Sequence, residues 1–256
     1  MDRIRKKYTP MTRKHSDITP YDQKDVAKKK QVASMFDNIA PYYDFLNRFL
    51  SAGIDRSWRK KAIAELKKYN PQLILDIATG TADLAIEAAR QIEAKHITGI
   101  DISNQMLKIG KEKIKRKNLE HLISLEYGDS ENLPYPDNQF DAITVAFGVR
   151  NFENLEKGLS EMFRVLKEDG KVVILEFSRP RHFPLKQLFN VYFKNILPVI
   201  GKLRSKDPKA YRYLYDSVQA FPDYDQLIAI LEKAGFIQAK WKSLTMGICT
   251  IYTAKK

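Results

Sequence analysis

The chain has 256 residues, of which 44% are apolar and 29% charged, so it can bury one full hydrophobic core with an appended segment. Its single cysteine, Cys249, excludes a disulfide framework and a cysteine-rich metal site. No apolar run approaches the roughly 18 residues that a membrane-spanning helix needs. The sequence therefore predicts an intracellular globular protein that needs no metal.

The net charge of +13 is concentrated in two segments. Residues 1–30 carry ten Lys or Arg against four Asp, and residues 179–213 carry nine against one. Such basic segments attract nucleic acid or anionic lipid, and charge alone does not choose between them. A simple solvated surface is the third interpretation.

The pattern along the chain predicts helices first and then a βα alternation. Residues 25–69 are typical of two or three helices, separated at Pro41 and Gly53. From Leu73 onward, apolar strands alternate with amphipathic helices, which indicates a parallel sheet covered on both faces. The predicted strands are residues 73–78, 96–101, 122–127, 140–145 and 170–177, followed by residues 236–244 and 247–256.

The predicted fold is therefore α/β, with a Rossmann-like, doubly wound and mostly parallel sheet of seven strands. The last two strands meet at Thr245–Gly247 and should form an antiparallel hairpin. Residues 1–30 are assigned to a basic N-terminal arm and residues 31–256 to a single domain. A helical cap at 31–70 precedes the sheet, and a helical insertion at 178–222 precedes the last helix, which is predicted at 223–234.

The loop after the first strand, DIATGTADLA (76–85), has small residues at alternate positions: Ala78, Gly80 and Ala82. A dinucleotide-binding loop needs several glycines so that its backbone can approach a pyrophosphate. S-adenosylmethionine (SAM) has no phosphate, so a loop with one glycine suits it. Asp83 is expected to cap the following helix. A plain strand–helix turn is the alternative for the loop taken alone.

Two acidic residues follow at the ends of the next strands. Asp101 ends the second strand, 21 residues beyond Gly80, where a carboxylate can accept both ribose hydroxyls. Asp129 follows the third strand, where it can accept the adenine amine while the Ser130 N–H meets a ring nitrogen. This order of loop, acid and second acid is that of a class I SAM-dependent methyltransferase. The predicted cofactor contacts are Ala78, Gly80, Thr81, Asp101, Asp129, Ser130 and Ala146.

The segment after the fourth strand reads AFGVRNF (146–152). Methyltransferases that act on base amino groups usually carry a Pro-Pro-aromatic tetrad at this point, and cytosine C5 methylation needs a cysteine that Cys249 is too distant to supply. Both features argue against nucleic acid as the substrate.

Residues 146–180, AFGVRNFENLEKGLSEMFRVLKEDGKVVILEFSRP, resemble the ubiquinone/menaquinone biosynthesis C-methyltransferase family. The resemblance extends to APYYDFLNRFLSAGIDRSWRKKAI (40–63), GDSENLP (128–134), YRYLYDSVQAFP (211–222) and the C-terminal MGICTIYTAKK, covering roughly residues 30–256. The chain departs from the family pattern at two places. Ala82 replaces the usual glycine, and Tyr215–Asp216 stands where Pro-Glu is commoner.

The resemblance implies methyl transfer from SAM to a ring carbon of a prenylated quinol such as demethylmenaquinol. It implies that Arg150 and Asn151 contact a quinol oxygen. Arg150 would stabilise the anion and order a water; it is a poor base by itself, because a guanidinium stays protonated at neutral pH. Tyr43, Asp44 and Phe147 are the expected substrate contacts. A structural salt bridge for Arg150 and helix packing for Tyr43 remain alternatives.

Other functions stay open at this point: a ubiquinone-precursor benzoquinol substrate, another small-molecule or RNA methyltransferase, a dehydrogenase, or a binding module without turnover. The four histidines show no metal or triad spacing and are expected at the surface or in loops. A prenylated quinol resides in the bilayer, so the basic segments predict a cytoplasmic protein at an anionic membrane. An apolar helical face at Leu185, Leu188, Phe189, Tyr192 and Ile196 is the expected lid or docking surface, and a homo-oligomer would use the same face.

Overall fold

The computed structural model of the protein describes residues 15–181, 183–191 and 208–256. Several predictions concern residues outside these ranges: the first half of the basic arm, Tyr192 and Ile196 of the apolar face, and the lysines at 194 and 202. Those predictions stay predictions.

Seven strands form one sheet. They are β1 (Leu73–Ile77), β2 (His96–Asp101), β3 (Ile123–Tyr127), β4 (Phe140–Ala146), β5 (Leu166–Phe177), β6 (Ile237–Leu244) and β7 (Cys249–Lys255). Their order across the sheet is β3-β2-β1-β4-β5-β7-β6. β7 pairs antiparallel with both of its neighbours, so it runs opposite to the other six strands. The predicted doubly wound sheet with a C-terminal antiparallel hairpin is confirmed.

The helices of the described residues alternate with these strands. They are α1 (Lys28–Leu50), α2 (Ile54–Lys67), α3 (Asp83–Gln91), α4 (Asn104–Lys115), α5 (Leu155–Val165), α6 (Leu185–Val191), α7 (Pro208–Ala220) and α8 (Asp225–Lys233). Short 3-10 turns occur at His15–Asp17, Val149–Asn151 and Thr245–Gly247. α6 and α7 are helices of the predicted insertion, and α8 is the predicted last helix.

The sheet separates two apolar cores, because alternate residues of each central strand point to opposite faces. On β1, Ile74 belongs to the core that α2 and α3 cover, whereas Leu75 belongs to the core that α5 and α8 cover. Both residues are fully buried. Helices on both faces account for the near-continuous apolar strands of the sequence.

The predicted break at Pro41 is wrong, because α1 passes through that residue as one helix of 23 residues. A proline inside a helix removes one backbone hydrogen bond and costs about 3 kcal/mol or more. Here the pyrrolidine ring is exposed, while Val32, Met35 and Ala40 bury the inward face of the same helix. Burial of that face holds the helix together across the proline.

The second half of the predicted arm packs onto the domain. Ile18 is buried in a small cluster with Val32 and Met35 of α1 and Tyr213 of α7. Lys28 to Lys30 already belong to α1. Within the described ranges, no helix has the length and apolar character that crossing a bilayer requires.

Candidate active site

A cleft opens at the carboxyl ends of β1 and β4, where the strand order of the sheet reverses. In open α/β sheets this reversal is where ligands bind. The loops that follow the two strands approach closely, since a Cβ on Gly148 would lie 2.6 Å from the Ala78 Cβ. Glycine at 148 therefore lets the two loops meet. The cleft is partly open to solvent and, with that open space counted, spans about 660 Å³.

Most of the predicted site residues line this cleft. They are Tyr43, Ala78, Gly80, Asp101, Asp129, Ser130, Ala146, Phe147 and Asn151. Three others, Asp44, Thr81 and Arg150, do not line it and are held in neighbouring networks. Lys29, Val32 and Phe36 of α1 also line the cleft, and the sequence did not indicate them.

The loop after β1 has left-handed backbone at alternate residues: φ is 52° at Ala78, 56° at Gly80 and 64° at Ala82. This conformation strains residues that carry a Cβ, which explains why the loop uses the smallest side chains. Asp83 does not cap α3, contrary to the prediction. Its carboxylate instead lies 2.6 Å from Lys113 Nζ and 3.6 Å from the Arg59 guanidinium, two cations that draw it away from the helix end.

Asp101 is the acid that the sequence placed opposite this loop. One carboxylate oxygen accepts the Gly80 N–H at 2.8 Å, and the other accepts the Ser103 N–H at 2.8 Å. Each oxygen keeps a second lone pair, so both can still accept a hydroxyl. Burial raises the pKa of Asp101 to about 6, against the hydrogen bonds from Ser103 and Gly80 that lower it. The carboxylate is thus pre-oriented and ionised at neutral pH.

Asp129, the second predicted acid, is paired with a lysine. Lys29 Nζ lies 2.8 Å from one carboxylate oxygen of Asp129 and 3.6 Å from Glu131. The other Asp129 oxygen accepts the Glu131 N–H at 2.9 Å. Burial raises the pKa of Asp129, but the hydrogen bonds from Lys29 and the Glu131 N–H, with the charges of Lys29 and Lys157, together lower it. α1 therefore places a cation at the end of the cleft where adenine was expected.

A cluster of charges beneath the loop explains why Asp44 and Thr81 do not line the cleft. The Thr81 hydroxyl donates to Asp44 at 2.6 Å, and Lys113 contacts Asp44 and Asp83 at 2.6 Å each. Arg59 of α2 pairs with Asp55 and reaches Asp83. This cluster ties α1, α2 and α4 to the loop and so holds α1 over the cleft.

Aromatic rings close the other end of the cleft. Phe147 has a φ of 59°, which is unusual for a bulky residue, and its N–H donates to the Leu175 carbonyl at 2.7 Å. Its ring centroid lies 4.6 Å from that of Phe177 and 6.3 Å from that of Trp58. Backbone strain of this kind is characteristic of functional sites, where the surrounding structure enforces it.

Arg150 lies behind this wall in a buried ion pair. Its guanidinium donates to the Glu176 carboxylate at 2.8 Å and to the Phe147 carbonyl, and it lies over the Phe177 ring. Burial raises the pKa of Glu176, although the Arg150 charge acts in the opposite direction. The structural salt bridge is therefore present, and a direct contact of Arg150 with substrate stays a prediction.

His15 lies in the 3-10 turn at His15–Asp17, outside the longer helices and the strands as expected, and packs against this site. Its Nε2 lies 2.6 Å from the Arg150 carbonyl, and its ring contacts Phe221 edge-on. Burial, with the nearby charge of Lys28, lowers the pKa of His15 to about 4. A neutral imidazole that donates to the Arg150 carbonyl thus fixes the 3-10 turn. No sequence spacing indicated this long-range contact.

Three buried polar atoms at this end have no hydrogen-bond partner among the described residues: Arg150 Nε, Asn151 Oδ1 and the Tyr213 hydroxyl. Burial raises the pKa of Tyr213, and the charges of Arg150 and Glu176 reach its hydroxyl. Asn151 donates to the Phe147 carbonyl at 3.2 Å, which leaves its own oxygen to accept. Unpaired buried polar atoms are rare. Of these three residues only Asn151 lines the cleft, so its oxygen can accept a hydrogen bond from a polar ligand.

The family model of the ubiE/COQ5 methyltransferase family matches residues 24–256. This chain is 52% identical to the demethylmenaquinone methyltransferase of Bacteroides fragilis, over 93% of this chain and 97% of the relative. It is 49% identical to the ubiquinone/menaquinone biosynthesis C-methyltransferase UbiE of Geotalea daltonii, over 90% and 97%. The chain belongs to the ubiE/COQ5 methyltransferase family. It is a SAM-dependent methyltransferase, as the resemblance predicted.

Solved structures share the fold of this methyltransferase at low identity. A SAM-dependent methyltransferase of Thermotoga maritima superposes with a TM-score of 0.63 at 17% identity, covering 88% of this chain and 99% of that one. The [4+2]-cyclase SpnF superposes with a TM-score of 0.58 at 19% identity, covering 89% and 96%. Because a cyclase shares the architecture, the fold alone does not define the reaction.

Proposed function

We propose that this enzyme transfers a methyl group from SAM to a ring carbon of demethylmenaquinol, giving menaquinol. The observation that carries the proposal is the identity of 52% and 45% to enzymes of Bacteroides fragilis and Porphyromonas gingivalis that are named demethylmenaquinone methyltransferases, each over 93% of this chain. The cleft supports it with a polar end suited to SAM and an aromatic end suited to a planar ring.

The polar end fits SAM. Asp101 would accept hydrogen bonds from the two ribose hydroxyls. Asp129 and the Ser130 N–H would bind the adenine edge once Lys29 shares or releases the Asp129 oxygen that it contacts. Ala78, Gly80 and Ala146 border the remaining space. Bound here, SAM supplies an electrophilic methyl group. The loop fits this cofactor because SAM has no phosphate and so does not need the glycine-rich cradle that a dinucleotide needs.

The aromatic end fits a quinol ring. Phe147 and Tyr43 would flank the ring, and Asn151 would bind a quinol oxygen. Arg150, which Glu176 holds in place, would lie with its positive charge behind that oxygen and stabilise the quinol anion, whose ring carbon would attack the methyl group. The ring carbon exchanges its hydrogen for the methyl group, so one proton leaves. The Arg150 guanidinium stays protonated and so cannot accept a proton. A water ordered by Arg150 and Asn151 would therefore take the proton that leaves the ring carbon.

A methyl-transfer assay tests the proposal directly. Purified enzyme and radiolabelled SAM are incubated with short-chain demethylmenaquinol, its benzoquinol counterpart and bulk tRNA. We expect label in the naphthoquinol. Label in the benzoquinol as well would extend the substrate range to ubiquinone precursors, as the name of the Geotalea daltonii relative suggests. Label only in tRNA, or in none of the three, would overturn the proposal.

A prenylated substrate also calls for a site of action at the membrane. We propose that the enzyme works in the cytoplasm as a peripheral protein on an anionic bilayer, with the basic segments 1–30 and 179–213 facing the lipid. A triple change of Lys186, Lys194 and Lys202 to Gln should lower turnover of membrane-embedded quinol and spare a water-soluble analogue. Equal loss on both substrates would contradict this role.

A further inference from the structure

The C-terminal half of α1 and the start of α2 form an exposed apolar corner, which we call the aromatic corner. It contains Tyr42, Phe45, Phe49 and Ile54, whose side chains are 42%, 47%, 56% and 42% exposed. The rings of Phe45 and Phe49 stack with centroids 5.9 Å apart. Large apolar residues scattered singly over a surface need no explanation, but four grouped at one corner mark an interaction site.

The charges of this stretch all have one sign at the surface. Within residues 41–61, the exposed charged side chains are Arg48, Arg56, Lys60 and Lys61. The two acids of the stretch point inward and are neutralised: Asp44 contacts Lys113, and Asp55 pairs with Arg59. The corner therefore presents aromatic rings among cations, the combination that binds the headgroup region of an anionic bilayer.

The corner lies on the outer side of the helix that forms the cleft wall. On α1, Phe36 and Tyr43 line the cleft, whereas Tyr42 and Phe45, next to Tyr43 and Asp44 in the chain, are exposed. The charge cluster of Asp44, Lys113 and Thr81 holds this helix in place. A surface bound to the corner is thus about one helix diameter, ~10 Å, from the cleft.

We infer that the aromatic corner is a docking surface for an anionic lipid bilayer, which brings the mouth of the cleft to the membrane. The inference rests on the proposed prenylated substrate only for its purpose. The contact itself needs no quinol and adds a defined apolar insertion to the electrostatic attraction of the basic segments. Arg48 and Arg56 would contact lipid phosphates while Phe45 and Phe49 enter the interface.

Sedimentation with large vesicles tests the inference on the full chain without substrate. The wild type should bind vesicles made of phosphatidylglycerol and phosphatidylcholine together. It should bind vesicles of pure phosphatidylcholine only weakly. Phe45→Ser combined with Phe49→Ser should weaken binding about tenfold or more, because two rings lose their burial. Arg48→Gln with Arg56→Gln should weaken it by a similar factor and abolish part of its salt dependence.

The matched control is Ile237→Ser, which removes a 53%-exposed apolar side chain from the edge strand β6 and should leave vesicle binding unchanged. Phe49→Ser alone is the milder variant should the double change lower the melting temperature. Unchanged vesicle binding by the folded double variant would overturn the inference. A second copy of the chain would be the occupant if the wild type forms a concentration-dependent dimer in sedimentation velocity and the double variant does not. That result would also overturn the inference.

The same variants separate this inference from the proposed reaction. The Phe45→Ser, Phe49→Ser enzyme should methylate a water-soluble short-chain quinol at the wild-type rate, because neither ring lines the cleft. If wild type binds vesicles through the corner but methylates no quinol, the docking surface stands and the proposed function fails. If the soluble quinol is methylated but the corner variants bind vesicles normally, the docking surface fails alone.

Discussion

The two ends of the cleft are built in different ways. At the SAM end, Gly80, Asp101 and Asp129 follow three neighbouring strands, and Asp101 is held by N–H groups of its own loop and of the adjacent strand's loop. At the acceptor end, Arg150 and Glu176 form a buried pair, and the covering parts come from α1, α7 and the N-terminal turn at His15. The SAM end is built mainly from the ends of neighbouring strands. The acceptor end is assembled from distant segments and depends on a charge pair away from water.

This difference predicts unequal sensitivity to mutation. Removing one member of a buried ion pair leaves an uncompensated charge, which costs more than losing one polar contact at the edge of a cleft. The acceptor end should therefore couple stability to activity, whereas changes at the SAM end should alter cofactor affinity with little effect on folding.

The largest effect is expected for Arg150→Met. Glu176 would remain buried without its partner, so the free energy of unfolding should fall by about 3–5 kcal/mol. Methyl transfer should fall about a thousandfold, through loss of the charge behind the quinol oxygen. Urea unfolding and the radiolabel assay measure the two effects.

A second change separates the two roles of Arg150. Adding Glu176→Gln to Arg150→Met removes the uncompensated charge. The glutamine still offers an oxygen that accepts the backbone N–H groups of residues 177 and 150. Most of the lost stability should return, while the rate stays low. A rate that recovers together with stability would show that Arg150 has a structural role only.

Asp101→Ala should be the largest change at the SAM end. The loss of two hydrogen bonds from ribose hydroxyls to a carboxylate should weaken SAM binding about a hundredfold. The melting temperature of the wild type should rise with SAM, and that rise should almost vanish in the variant. NADH should stabilise neither protein; equal stabilisation by NADH would favour a dehydrogenase.

Asp141→Asn is the matched control, since that carboxylate also accepts backbone N–H groups but lies at the opposite edge of the sheet. It should lower the melting temperature of the unliganded enzyme and leave the shift caused by SAM intact.

Affinity for SAM should also depend on pH. Burial raises the pKa of Asp101 to about 6, so the carboxylate is ionised at pH 8 and mostly protonated at pH 5. Protonation removes acceptor capacity, and SAM should bind about tenfold more weakly at pH 5 than at pH 8. Calorimetric titration of wild type and Asp101→Asn measures this, and the variant should show a flatter profile.

The same pKa fixes the sign of the stability effect. A carboxyl group whose pKa is raised by folding holds its proton more tightly in the folded state, so its contribution to stability is present below pH 4 and lost as pH rises through about 6. His15 acts oppositely, because burial lowers its pKa to about 4: its neutral form favours folding above about pH 6.5. An affinity for SAM that does not change between pH 5 and 8 would contradict the role of Asp101.

A smaller effect of opposite sign is expected for Lys29→Met. Lys29 occupies one oxygen of Asp129, and its removal frees that oxygen for the adenine amine while leaving a more negative cleft for the SAM cation. SAM affinity should rise by a few-fold, since exposed ion pairs contribute about 0–1 kcal/mol. The exposed neighbour Lys30, changed to Met, is the control. Weaker binding by Lys29→Met would mean that Lys29 itself contacts SAM.

The sequence predicted the SAM end well because its geometry follows from strand order. Once β1, β2 and β3 are adjacent and parallel, Gly80, Asp101 and Asp129 must gather at one edge. It did not predict that α1 places Lys29 on Asp129, nor that Glu176 holds Arg150, because each contact joins segments whose relative position only packing decides. The single helix through Pro41 was missed for the same reason: tertiary burial outweighed a local helix-breaking residue.

The smallest effect is expected at Ala82, where the family usually has glycine. Its φ of 64° is left-handed, which costs an alanine about 1–2 kcal/mol. Ala82→Gly relieves this strain, but the more flexible glycine costs about 0.5–1 kcal/mol in the unfolded chain and the buried methyl is worth about 0.8 kcal/mol. The terms nearly cancel, so stability should change by less than about 1 kcal/mol and SAM affinity should not change. Ala85→Gly changes a buried helical position that has no strain, so its free energy of unfolding should fall by about 2 kcal/mol. There the flexibility of glycine and the loss of the buried methyl group both destabilise, and no relief of strain offsets them. Urea unfolding of both variants measures the difference, and equal losses would mean that the left-handed residue carries no strain to relieve.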